Sequence, residues 1–173
     1  DVVMVGEIRD HETAEIAVQA ALTGHLVLST LHTNTAIGAI TRLRDMGIEP
    51  FLLASSITGI MAQRLIRLLC PQCKKAVTPD ANSQALLQHH TIEHLFEPTG
   101  CEHCAHTGFK GRSGIYELIC IDETLQQLIY CNKNQQQLQK ALPSTHQTML
   151  ADGLKRVCQG HTSLAEVLGV VGA

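Results

Sequence analysis

Tryptophan is missing from the 173 residues and aromatic side chains make up only 3% of them, so a platform for stacking unpaired bases has little to be built from. No block of basic residues occurs and the formal net charge is −3, which argues against bulk attraction to nucleic acid or anionic lipid. Runs of about 18 or more apolar residues are absent too, which argues against a membrane-spanning helix. The nearest candidate, residues 51–62, is interrupted by Ser55, Ser56, Thr58 and Gly59. No signal-peptide pattern is visible. Nor is there a Gly-x-x-x-x-Gly-Lys-Ser/Thr phosphate-binding loop: Gly108-Phe-Lys110-Gly111-Arg-Ser113 has the composition without the spacing. The chain starts at Asp1, without a methionine and directly on an apolar run, and so reads as part of something longer.

What is present is 45% apolar content, enough for one ordinary domain or two small ones. Val2–Val5 is a short β-branched run ending at Gly6, the pattern of a buried strand. Asp10 suits a helix N-cap, and Ala14, Ala17, Val18 and Ala21 form an apolar stripe that Thr23-Gly24 closes. His25–Thr30 reads as a second buried strand, so the first 30 residues predict a parallel βαβ unit with a right-handed crossover. Further helices are expected over 34–46, with Ala36, Ile37, Ile40 and Leu43 inward, and over 50–69, opening on Pro50. A short polar helix is expected near 82–90, with His89, His90 and His94 on a solvated helix face. Then come a strand over 115–121 and C-terminal helices: Asp122 caps the first, Pro143 interrupts, Gly160 ends another, and Ser163 with Glu166 forms a capping box.

Seven cysteines in a small secreted domain would suggest disulfides. Here four fall into two Cys-x-x-Cys pairs, Cys70/Cys73 and Cys101/Cys104, separated by 27 residues, a spacing that points to a metal in a reducing, cytoplasmic compartment. Each pair presents two thiolates to one ion, and two pairs complete a tetrahedral shell with no open position, so one structural zinc is predicted. Two disulfides or free buried thiols remain the bland alternative. His103 and His106 could substitute as ligands but read rather as groups beside the centre or in solvent, and Cys120, Cys131 and Cys158 read as small core residues. A zinc-dependent nucleic-acid module would need a basic stripe, and Lys74, Lys75, Lys110 and Arg112 are too few. A docking adaptor stays compatible with the enzymatic reading below.

The first strand ends in Gly6-Glu7, which puts a carboxylate at the carboxyl edge of a parallel sheet, where ligands bind in open α/β folds. That is the general form of a Walker B acid, which orients a magnesium-bound or attacking water beside nucleotide phosphates. Ser29-Thr30-Leu31-His32-Thr33-Asn34 reaches the same edge from the second strand, and its hydroxyl-rich turn suits phosphate sensing. His25 starts the strand that His32 terminates. Seven extended residues span roughly 23 Å, so these two histidines should not share one site.

These segments together resemble a family. Val2-Val3-Met4-Val5-Gly6-Glu7-Ile8-Arg9-Asp10 looks like the Walker B segment, and residues 23–33 like the histidine box, of the type II secretion and type IV pilus ATPases. Ala62-Gln63-Arg64-Leu65 leading to Cys70, and Gly108–Arg112, resemble the surroundings of their tetracysteine module, and the ending from Gly153 through Leu168 is most similar to the type II secretion ATPase, the general secretion pathway protein E family. The resemblance implies an α/β fold: a partial RecA-like P-loop core over 1–69 without its Walker A loop, a zinc subdomain over 70–112 and a helical C-terminal subdomain over 113–173. It implies a hexameric cytoplasmic ATP hydrolase, peripheral at the inner membrane and docked there on the secretion platform through N-terminal regions. ATP and magnesium are the implied cofactors beside zinc, the implied work is pseudopilus assembly and protein export, and the alternative is type IV pilus assembly. By the same resemblance Glu7, His32 and His25 are catalytic and Glu7, Arg9, Thr30 and His32 contact the nucleotide, while no nucleic-acid partner is expected.

Overall fold

A computed structural model describes residues 1–33, 35–87 and 92–172. In chain order the elements are β1 (Val2–Val5), α1 (His11–Leu22), β2 (Leu26–Ser29), α2 (Gly38–Asp45), α3 (Pro50–Ser56), β3 (Gly59–Leu69), β4 (Lys75–Val77) and α4 (Ala81–Leu86). There follow β5 (Leu95–Glu97), a single 3-10 turn (Glu102–Cys104), β6 (Phe109–Cys120), α5 (Glu123–Tyr130), α6 (Gln135–Lys140), α7 (Met149–Cys158) and α8 (Leu164–Val171). The protein is an α/β chain whose residues fall into two units, 1–61 with 118–146 and 62–117 with 147–173. The partition expected at 69/70 and 112/113 does not coincide with these units.

In the first unit β1 and β2 pair in parallel, Val2 opposite Leu26 and Val5 opposite Ser29, as a βαβ unit requires. Asp10 caps α1 by accepting from the Thr13 amide, and Gly24 ends it at φ +91°, a conformation open to a residue without Cβ. Both strands are less buried than their apolar runs predict. Val2, Met4, Leu26 and Leu28 are each at least half exposed, because the sheet has two strands and only alternate residues turn inward. The core lies among the helices instead: α3 packs on α5 and α1, α2 on α6, and Ile37, Ile40, Leu53, Leu125, Ile129 and Leu138 are sealed from solvent. The second helix begins at Gly38, four residues later than its periodicity suggests, and Asn34 lies outside the described residues.

The helix expected over 50–69 is a correction. It stops at Ser56, and Gly59–Leu69 is the strand β3, hydrogen-bonded to β6 in a two-stranded sheet. Ile57-Thr58-Gly59 favours neither helix entropy nor side-chain packing against a preceding turn, and from Ile60 onward inward and outward residues alternate with period two. Strand β6 extends from Phe109, six residues before the expected start.

In the second unit β4 and β5 pair antiparallel, Lys75 opposite Glu97 and Val77 opposite Leu95, a ribbon that three-residue strands did not announce. Helix α4 is capped by Asp80 and ends at Leu86; His94 is not in it, and His89 and His90 lie outside the described residues. Leu87, Leu95, Leu154, Val157 and Val167 form the core that joins the ribbon to α7 and α8. Ser163 caps α8 as expected, but only half of the capping box forms, because Glu166 is engaged elsewhere. Cys120 and Cys131 are exposed, which corrects their reading as core residues, whereas Cys158 is half-buried and packs against this core.

Candidate functional site

At the carboxyl edge of β1 and β2 the sequence brings three charged or ionisable groups together. Glu7 Oε2 lies 2.5 Å from Arg9 Nη2, and Glu7 Oε1 lies 3.1 Å from His32 Nε2. The loops that carry them are fixed to each other: the Ile8 amide donates to Thr30 O at 3.0 Å, and the Thr30 hydroxyl donates to Gly6 O at 2.7 Å. These bonds continue the strand pairing past its last register pair, so Glu7 and His32 arrive side by side. The Arg9 guanidinium holds the Glu7 carboxyl below the usual carboxylate range, against partial burial that raises it, and His32 adds to the lowering. The Glu7 side chain is 21% exposed and that of His32 90%, so the acid is sheltered while the imidazole is open to solvent. A sheltered carboxylate between a guanidinium and an imidazole can orient a water or a hydrated cation.

His25 sits at the other end of β2. Its Nδ1 is 3.2 Å from both Ala20 O and the Thr23 hydroxyl, where it closes the end of α1. The extended strand thus separates the two histidines, as its length requires.

The second cluster is built by the ribbon. The ladder between β4 and β5 draws the ends of the 27-residue insertion together, with Cys70 and Cys73 before β4 and Cys101 and Cys104 after β5. All four Sγ atoms lie within 4.8 Å of one another, and none is in a disulfide. The separations Cys70–Cys101, Cys73–Cys104 and Cys101–Cys104 are 3.9, 3.8 and 3.8 Å. A tetrahedron with metal–sulfur bonds of about 2.3 Å has edges of about 3.8 Å, so the four thiols are placed to hold one metal ion. The amides of Cys101 and Gly108 each donate to Cys104 Sγ at 3.2 Å. Burial disfavours the Cys104 thiolate, but these donors outweigh it and bring its pKa down to about 6, while burial pushes Cys101 up to about 11. His103 is not in the sulfur cluster; Lys110 Nζ lies 2.9 Å from its Nε2.

Sequence reading missed the groups that brace this centre. Thr99 donates its hydroxyl to Cys73 O, and Arg67 and Glu166, 99 positions apart, form a forked ion pair with no local signature.

A family model described as type II/IV secretion system protein matches residues 1–169. The chain belongs to that family. It is 55% identical over 172 residues to the type II secretion system ATPase E of Vibrio cholerae and 53% identical to the type II secretion system protein E of Pseudomonas aeruginosa. In both cases 98% of this chain and 34% of the relative are covered. The type IV pilus assembly ATPase TfpB of Acinetobacter baylyi is 49% identical, with 99% of this chain and 30% of the relative covered. The chain thus spans about a third of the length of these family members. Among solved structures, the ATPase DotB of Legionella pneumophila (TM-score 0.65, 22% identity) covers 99% of this chain with 39% of its own. The Yersinia pseudotuberculosis ATPase DotB (TM-score 0.67, 16% identity) covers 99% with 37%. At those identities the likeness is one of fold.

Proposed function

We propose that this chain is part of a secretion ATPase in which Glu7 is the Walker B acid of a nucleotide site. The observation that carries this reading is the meeting of Glu7, Arg9 and His32 at the carboxyl edge of two parallel strands, the edge where α/β folds bind ligands. Glu7 orients magnesium or the attacking water, His32 senses the phosphates, and Arg9 and the Thr30 segment line the site. His25 acts through the position of the strand, since its ring is bonded at the far end. Residues 1–69 belong to a RecA-like core whose phosphate loop is supplied from outside this sequence, 70–112 to a zinc subdomain and 113–173 to a helical subdomain. The tetracysteine centre takes a structural zinc, whose soft, closed sulfur shell leaves no catalytic position. The longer protein works as a cytoplasmic hexamer on an inner-membrane secretion platform and drives pseudopilus assembly and protein export.

Identity of 49% to a type IV pilus assembly ATPase favours a second reading, pilus assembly, with the same site chemistry. Disrupting the gene separates them: loss of exported proteins from the medium supports secretion, and loss of surface pili alone supports the other. The nucleotide reading is tested by Glu7→Gln in the longer protein. Magnesium–ATP binding should persist while hydrolysis falls about 10²–10⁴-fold. Turnover that stays within a few-fold would make Glu7 an ordinary strand-end acid.

A further inference from the structure

The two halves of the cysteine centre are ordered differently. Cys101 and Cys104 are held locally by the 3-10 turn, whose N-cap is Cys101, and by amides of Cys101 and Gly108 directed at Cys104 Sγ. Among the described residues no amide donates to the Sγ of Cys70 or Cys73. Their turn is closed by the Cys73 and Lys74 amides donating to Cys70 O, at 3.3 and 3.0 Å, and it is met by two further bonds, from the Cys70 amide to Gly108 O at 2.9 Å and from the Thr99 hydroxyl to Cys73 O. In addition, the chain on either side of it is tied to a distant segment, residues 160–166, which runs from just past α7 into the first turn of α8. Before the knuckle, the Leu69 amide donates to His161 O at 2.8 Å, and the Thr162 hydroxyl donates to Arg67 O at 2.8 Å. Glu166 receives the Arg67 amide at 3.0 Å together with the forked guanidinium. After the knuckle, Lys74 Nζ donates to Gly160 O at 2.8 Å. Thr162 is sealed from solvent and Ser163 nearly so, although both are polar. The segment is presented by helices whose Leu154, Val157 and Val167 are core residues, so it is a fixed edge.

We infer that residues 160–166 form a clamp that preorganises the first metal knuckle, with Thr162 and Glu166 as positioning residues for Cys70 and Cys73. This rests on the reading of the four cysteines as a zinc site. Groups that orient ligands without touching the metal commonly change its affinity 10–100-fold. The clamp also fixes the sign of one effect. Zinc binding releases the thiol protons and turns largely neutral cysteines into a centre of net negative charge, so removing the Glu166 charge by electrostatics alone would strengthen binding. Loss of the clamp weakens it.

The test uses the full 173-residue chain, with zinc affinity measured by competition against a chromogenic chelator. Glu166→Gln and the isosteric Thr162→Val should each weaken zinc binding about tenfold, with the far-ultraviolet circular dichroism of the zinc-saturated protein unchanged. The tetrahedral absorption of the cobalt-substituted protein should keep its shape while requiring more cobalt to saturate. Affinity within twofold of the unaltered chain in either variant, or tighter binding in Glu166→Gln, overturns the clamp. An unaltered chain that takes up no zinc would bring down the metal reading, and the clamp with it.

Discussion

Arg9 stabilises the Glu7 carboxylate and holds its pKa below the ordinary glutamate range, with His32 adding to the effect. Its folded pKa lies below the unfolded one, so its contribution to stability is present above the ordinary glutamate pKa of about 4.3 and is lost as pH falls through the depressed value. Arg9→Ala should move the Glu7 titration back toward the ordinary value, which carbon-detected NMR of the carboxyl would show. The histidines should separate by function. His32→Ala in the longer protein should lower ATP turnover more than His25→Ala, because only His32 reaches Glu7, whereas His25 closes the end of α1. Steady-state hydrolysis of the two variants decides it, and the reverse ranking would put the phosphate sensor at the wrong histidine.

Helices α7 and α8 meet at a glycine. A Cβ on Gly153 would stand 2.5 Å from Val167 Cγ1, and Val167 is fully buried with a stiff branched side chain. Gly153→Ala should therefore destabilise the second unit by about 1–3 kcal/mol, despite the better helix propensity of alanine. Denaturant unfolding measures this. The Arg67–Glu166 fork gives the same unit an acid sensitivity. Arg67 holds the Glu166 carboxyl below its usual range against partial burial, so its stabilisation is complete above about pH 4.3 and is lost as pH falls through the depressed folded value. In Glu166→Gln that part of the pH dependence should disappear from thermal melts between pH 6 and pH 3. Removing metal should loosen the knuckles and the β4–β5 ribbon first, since three-residue strands are short and metal binding supplies folding energy. Hydrogen exchange with and without a chelator should show protection lost there before α5 and α6.

At the scale of the whole chain, the tetracysteine centre is contained within residues 62–117 of the second unit and the Glu7–His32 cluster within residues 1–61 of the first. No phosphate-binding loop occurs in the 173 residues, and most phosphate-binding energy in such sites comes from that loop's amides and lysine. The chain alone should therefore neither bind nor hydrolyse ATP with useful strength. Titration calorimetry with magnesium and a non-hydrolysable ATP analogue checks it, and micromolar binding would mean that a nucleotide site is complete within these residues.

By itself the sequence determined what is written in local spacing. The Asp10 and Asp122 caps, the βαβ start and the two Cys-x-x-Cys knuckles were legible because each depends on residues a few positions apart. So was the separation of His25 from His32, which follows from the length of an extended strand. Residues 57–69 were misread because an apolar run suits a helix or a strand alike until its partner is known, and that partner, β6, lies some fifty residues on. Exposure of Val2, Met4, Leu26 and Leu28 depends on how many strands join the sheet, which no single strand encodes. Only tertiary structure decided that Glu166, instead of completing its own cap, crosses to Arg67, and that the turn at 160–166 braces a cysteine knuckle some ninety residues earlier. Hydrogen bonds of that reach are fixed by packing of the whole unit, and they leave no period or motif in the chain for a reader to find.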